Sequence, residues 1–492
     1  MYKKIIIVML IVLGAFTTFF LYRTYAYDTS VVEETPTTTD KAYTFKIGNS
    51  SIKQIQVDAG ETKYFDIVLS NPNNAKISYS IYYEMVSPTT KPDGFSIGYT
   101  SKSTGTSTGK VDKNGNITLS IEASNTSSSA VTVKIGTVAG YVKGGELTLG
   151  SGQVIIPKKL GPPATSTIES LDGGTTGDSG SGVYKVTHSA IPASSSATGS
   201  EIPAVTDYRY YGSNPNNYIC LDMEGQRTCP DKHLYRIIGS IYEEKENTNR
   251  IKAIKATPLT DGTTKGFSWD YTSSGSYSNI WATVTSGNYS NSLSSGSQLM
   301  KLLNSGLWWK GTSGSYYNNS TTATTLNFTN YKLSDKAKSY ITTSRYYLGG
   351  YNNSSGVKTN QFYTYERGTT RYDTNRPLYW DGMVGLMYPS DFGYAAGNTC
   401  VTGTDPYNYD GGCKNKDWLW MTTSSDYSNS VEWLMSPNSG VSSRAFYVDS
   451  SGYVGFSNGV YGVNSVRPVF YLSSTTSITD GTGTSTDPYI VS

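Results

Sequence analysis

The residue types that most often carry enzyme chemistry are scarce in this chain. Its 492 residues include only two histidines, His188 and His233, and four cysteines, Cys220, Cys229, Cys400 and Cys413. His188 lies in a Ser/Gly-rich stretch, so a histidine-based triad would rest on His233 alone. HExxH, the P-loop and G-x-S-x-G are absent. A pair of carboxylates working as a glycosidase stays open, because Asp and Glu partners cannot be recognised before the fold is known. The cysteines form two local pairs, Cys220 with Cys229 and Cys400 with Cys413. An even count in such pairs points to two loop-closing disulfides in an oxidising compartment. Zinc is the rival, since Cys220, Cys229 and His233 are near neighbours, but the C-x2-C spacing and a fourth ligand are missing. "TGTDPYNYDGG" offers Asp405, Asn408 and Asp410 as weak calcium candidates. They lack the alternating ligands and terminal Glu of an EF-hand loop, and a turn explains them more simply. No other metal or cofactor is expected.

Recognition chemistry is better represented. Trp308 and Trp309 follow a helix-like segment, and Trp418 and Trp420 alternate in "DWLWM". An aromatic left exposed beside polar loops stacks on ligands or anchors a partner, so these four are the candidate ligand contacts. Near the C-terminus, Arg467-Pro468 directly precedes the apolar run Val469-Phe470-Tyr471-Leu472. A proline marks the start of a strand. The guanidinium beside it suits a bidentate pair with a carboxylate, and Glu432, Asp391 and Asp449 are the candidates. Such a pair specifies structure, so Arg467, Pro468 and Glu432 are read as architectural.

The elements that must position these residues fall into five segments. Residues 1–26 carry Lys3 and Lys4 ahead of an uncharged run from Ile5 to Tyr22, closed by Arg23. That run rises about 27 Å as a helix, close to the roughly 30 Å of a hydrocarbon core. It reads as a transmembrane anchor or, with Thr24-Tyr25-Ala26 as cleavage site, a signal peptide. Either reading exports the rest of the chain. Residues 27–43 form a polar stalk. From 44 to 160 the apolar period is two: Phe65, Ile67 and Leu69; Ile77, Tyr79, Ile81, Tyr83 and Met85; Ile117, Leu119 and Ile121. Short alternating strands of this kind predict an all-β, immunoglobulin-like sandwich. Residues 161–205 are small and polar and read as a flexible linker, with one short ordered piece at Val183–Ile191. Residues 206–492 predict an α+β domain of strands, long loops and two helices. One has Ser297 as cap and Leu299, Leu302 and Leu303 as its inner face; the other has Ser334 as cap and Ala337, Tyr340 and Ile341 inside.

Composition agrees. Forty-two tyrosines, with abundant Ser, Thr, Asn and Gly, favour strands and loops. Forty Lys+Arg against 38 Asp+Glu give no sign of a nucleic-acid partner.

In order, "NNYICLD", "LYRIIGSIYE", "QLMKLLN", "GLMYPSDFGYA", "WLMSP", "GYVGF", "SVRPVFYL" and "GTGTSTDPYIV" resemble the C-terminal domain of exported surface proteins of Gram-positive bacteria. That domain is similar to the C-type-lectin-like fold shared with formylglycine-generating enzymes and with variable ligand-binding proteins of diversity-generating retroelements. The resemblance covers roughly 206–492 and implies a lectin-like fold. The reactive, copper-binding cysteine pair of formylglycine-generating enzymes is not matched by the cysteine spacing here. The Glu-Pro-Asn motif of calcium-dependent lectins is not matched either, since Asn214-Pro215-Asn216 and Ser436-Pro437-Asn438 lack the acid. The expected function is therefore a non-enzymatic cell-surface protein, an adhesin holding a glycan or protein ligand outside the membrane. The alternatives are a structural cell-envelope component and a secreted hydrolase.

Overall fold

The computed structural model describes residues 44–47, 54–72, 76–100, 102–140, 147, 149–158, 163–283, 296–421 and 431–492. The expected N-terminal apolar helix and stalk lie outside these residues. Among the described residues no helix is long and apolar enough to cross a membrane. Among the described residues strand predominates, at 37% against 13% helix, and the chain forms two compact units divided between residues 160 and 161, with Glu224–Arg227 grouped with the first.

The first unit is a β-sandwich. One sheet has the order Thr44–Ile47, Thr62–Ser70, Asn116–Asn125, Phe95–Tyr99; the other has Gln54–Val57, Val131–Gly140, Ile77–Ser87, Thr108–Val111, with Gln153–Ile155 also on Ile77–Ser87. Ile67 and Leu69 from one sheet and Ile81, Val133 and Ile135 from the other are fully buried in one cluster. The alternating apolar residues thus form the layer between the sheets, as a period of two requires. Asn114 takes φ 53°, a left-handed turn conformation that Asn tolerates.

The second unit is built on a nine-stranded sheet. Its path runs Ile341–Thr342, Val469–Leu472, Thr248–Lys255, Leu234–Glu243, Tyr218–Cys220, Tyr489–Val491, Ile478–Asp480, and Val205–Tyr211 joins Leu234–Glu243 while pairing with Gly182–His188. A separate three-stranded sheet is made by Glu432–Pro437, Arg444–Val448 and Val454–Gly459.

Two expectations are corrected here. Residues 161–205 are not a flexible linker. They contain the helix Ala164–Glu169, and the strand Gly182–His188 pairs with Val205–Tyr211 along its whole length. Ile168, Val183, Tyr184 and Ile202 are buried in the main core. The Ser/Gly-rich composition hid a short period-two pattern that the neighbouring strand completes. Nor are there only two helices. Ser297 and Ser334 do cap Gln298–Asn304 and Asp335–Ser339, accepting from Met300 N and Ala337 N at 3.1 and 3.0 Å. Further helices form at Leu307–Lys310, Thr359–Glu366, Pro389–Ala395, Asn398–Gly403 and Gly411–Lys414. These are one to two turns long, too short for a helical period to register in the sequence.

Candidate functional site

Arg467 enters the strand Val469–Leu472 with its side chain buried. Its Nε and Nη2 donate to Glu432 Oε1 and Oε2, both at 2.8 Å, and Nη2 also donates to the Leu419 carbonyl at 2.7 Å. This fork ties the strand Val469–Leu472 to the three-stranded sheet through Glu432. The other two candidate carboxylates are committed elsewhere. Asp449 accepts from Ser451 N and Tyr453 N in its own turn, and Asp391 belongs to a second network.

That network links five buried ionisable groups, His188, Asp207, Arg209, Asp391 and Lys252. Asp391 accepts from Arg209 Nη1 at 3.0 Å and Lys252 Nζ at 2.5 Å. Arg209 reaches in turn to Asp207 Oδ2, which also faces His188 Nε2 at 2.9 Å. Burial opposes ionisation of both aspartates. Arg209 and His188 around Asp207, and Lys252 and Arg209 around Asp391, outweigh it and hold both below the ordinary carboxylate range. Burial lowers His188, with Asp207 opposing, and its ring stacks on Tyr363 at 3.6 Å. Close by, Glu366 accepts from Ser390 Oγ and Arg367 Nη1, and burial raises it to about 7 against the pull of Arg367. Each named carboxylate is satisfied by groups of the protein itself, as buried charges require. His188, placed by sequence in a linker, is a core residue.

The cysteines join as Cys220–Cys229 and Cys400–Cys413. A zinc site at the first pair is thereby excluded, because a disulfide leaves no thiolate to coordinate. His233, Asp222 and Glu224 each bring one ligand atom within 4.8 Å of the others. Asp222 already accepts from Ser334 Oγ at 2.6 Å and Lys336 Nζ at 3.3 Å. In the weak calcium segment, Asn408 donates to both oxygens of Asp405, and Asp410 caps Gly411–Lys414 by accepting from Cys413 N. These are the contacts of a turn and a helix cap.

The tryptophans occupy different places from those expected of ligand contacts. Trp308 and Trp418 are buried, donating to the carbonyls of Tyr331 and Tyr210. Trp309 and Trp420 are half-buried and pack against the core. Indole is the largest apolar side chain, and this core uses it as filler. Among the described residues the exposed aromatics are tyrosines. In "DYTSSGSYSN", Tyr271 and Tyr277 stack at 6.0 Å with planes 13° apart, and Tyr277 meets Tyr461 at 4.8 Å. Tyr277 is 42% exposed and Tyr461 40%.

The loop that carries this patch is held from both ends. Asp270 accepts from Ser278 N and Gln298 N, each at 3.1 Å. Asn279, fully buried, donates through Nδ2 to the carbonyls of Asn438, Val441 and Arg444. The rings are therefore presented on a fixed loop. A sequence signal was available, since tyrosines interleaved with Ser and Gly form a polar loop with no apolar period to draw them inward.

With this geometry in view, comparison with known proteins adds no relative: no protein-family model, no curated protein and no solved structure matches the chain.

Proposed function

We propose that this chain is an exported, non-enzymatic surface protein whose larger unit holds a ligand against the tyrosine patch Tyr271–Tyr277–Tyr461. The observation that carries the reading is that patch: three neighbouring rings, two of them about 40% exposed, with Tyr271 and Tyr277 on a loop anchored by a buried asparagine and Tyr461 on the turn after Val454–Gly459. A pre-fixed aromatic surface gains contact area without ordering cost on binding. The ring faces suit the C–H face of a sugar, and the phenol oxygens at their edges suit its hydroxyls. The two disulfides support a site of action in an oxidising environment outside the cytoplasm. The apolar run Ile5–Tyr22 supports export, as anchor or cleaved signal. In this reading the sandwich is an immunoglobulin-like spacer and the larger unit a lectin-like binding domain, as the resemblance to Gram-positive surface proteins implies.

The test is binding of the full chain to arrays of glycans and cell-wall polysaccharides, with Tyr277→Ala/Tyr461→Ala as control. Retention that the double variant reduces at least tenfold, with unchanged melting, supports the proposal. Binding indifferent to both changes places the ligand elsewhere. Absence of binding by a folded chain removes the glycan reading and favours a structural role in the envelope.

A further inference from the structure

We propose that the same face carries a subsite for an oxyanion, so that the ligand is an acidic glycan bearing carboxylate or sulfate groups; this rests on the binding function proposed above. Immediately after the tyrosine loop, Asn279, Trp281, Arg371, Tyr372, Arg376 and Asn438 line a small cleft that opens to solvent. Two guanidinium groups share it, and no carboxylate is among its lining residues. Elsewhere in this unit the fully buried arginines are matched, Arg209 by Asp207 and Asp391, Arg367 by Glu366, Arg467 by Glu432, while the half-buried Arg236 donates to neutral oxygens and is alone, not paired with a second guanidinium in a cleft. Arg371 and Arg376 have no such match within ion-pair distance among the described residues. Arg371 Nη1 donates to the Arg376 carbonyl at 2.7 Å. Arg376 donates through Nη1 to Asn279 Oδ1 and through Nη2 to Ser278 Oγ at 3.4 Å. The partners are neutral oxygens, which orient the forks and leave their charge standing.

Two further observations point the same way. Asp373, the nearby acid, sits exposed on the adjoining turn and uses Oδ1 to accept from Asn375 N; its charge offsets only part of the burial that lowers Arg376. Trp281, 1% exposed, lines the cleft and has an Nε1–H with no partner among the described residues. The indole N–H groups of Trp269, Trp380 and Trp420 are likewise without a partner among the described residues; Trp281 is the one of the four that lines this cleft, where a ligand oxygen or a water can satisfy it. Two half-buried arginines without acids form the usual receptor for a planar or tetrahedral oxyanion. At the mouth, Tyr372 is 47% exposed, with Arg376 5.1 Å from its ring. Arg376 itself joins this cleft to the tyrosine loop through Ser278 and Asn279. A sugar ring stacked on Tyr372 directs a ring substituent at the guanidinium groups.

The experiment measures affinity of the full chain for three probes: polygalacturonate for carboxylate, heparin for sulfate, and dextran as the neutral control. The expected result is binding of one or both acidic probes at least tenfold tighter than dextran and weakening with salt. Arg371→Gln/Arg376→Gln should abolish that preference, while Arg371→Lys/Arg376→Lys, which keeps the charge and loses the fork, should retain part of it. Tyr372→Ala, at an exposed ring, should lower affinity without affecting folding and tests the subsite should the Gln pair fail to fold. Preference for carboxylate over sulfate, or the reverse, identifies the source of the oxyanion. Equal binding of all three probes, or acidic preference unchanged by the Gln pair and by Tyr372→Ala, overturns the subsite and leaves the tyrosine-patch reading intact. Loss of every probe by the unaltered chain overturns both.

Discussion

Replacing Glu432 with Ala is the most demanding test of the architecture. It strands the Arg467 guanidinium in the interior with the Leu419 carbonyl as its remaining strong acceptor. Both charge-assisted bonds of 2.8 Å disappear. Deleting one member of a buried pair costs about 3–5 kcal/mol, because the other charge stays desolvated. The larger unit has about 330 residues. At roughly 2.1 cal/mol/K per residue its melting entropy is about 0.7 kcal/mol/K, so the transition should fall by about 4–7 °C. Differential scanning calorimetry of the full chain reads this. The relevant transition is the one a reductant lowers, since both disulfides lie in that unit. Replacing both charges, Glu432→Leu with Arg467→Met, removes both desolvation penalties and should recover much of the loss. A Glu432→Ala shift below about 1 °C, or additive effects in the double variant, would refute the claim that this pair holds the strand Val469–Leu472.

Three further outcomes are expected. Asp417 is buried, with Oδ1 accepting from Leu419 N and Oδ2 without a partner among the described residues, and burial raises it well above the ordinary carboxylate range. The folded chain therefore keeps a proton that the unfolded chain loses near pH 4, so this group's contribution is present below about pH 4 and is lost as pH rises toward the folded value. Asp417→Asn, which cannot ionise, should raise the melting temperature by about 2 °C or more at pH 8 and less at pH 5, seen by melting at both. Removing Cys400–Cys413 by paired Ala substitution should cost about 3 kcal/mol, since it frees a loop with a sequence separation of 13, read by urea denaturation under oxidising conditions. Asn279→Ala removes three bonds to carbonyls and should cost about 2–3 kcal/mol, with faster hydrogen exchange confined first to the 270–280 loop.

Much of the local structure was legible without the fold. Ser297 and Ser334 announce helix starts because a hydroxyl before a first turn has one obvious donor to accept from. Ile67, Leu69, Ile81 and Leu119 announce a sandwich because a strand sends alternate residues to one face. Local cysteine pairing and the Arg467 charge ahead of an apolar strand are equally short-range signals, although the choice of Glu432 over Asp391 and Asp449 was not.

Tertiary structure alone decided the rest. Arg209 and Asp391 are 182 residues apart, and no local period relates them. Whether an aromatic is core or surface depends on what the remainder of the chain brings over it. Trp308 and Trp418 are covered, whereas Tyr277 and Tyr461 are left in solvent. The strand at Gly182–His188 exists because Val205–Tyr211 supplies its hydrogen bonds, which a Ser/Gly-rich composition cannot reveal. The Arg371–Arg376 cleft is likewise assembled from segments nearly 100 residues apart, joined through Asn279. Sequence determines what each segment can do locally. Solvent exposure and charge pairing are properties of the assembled surface, because each depends on distant chain arriving at the same place.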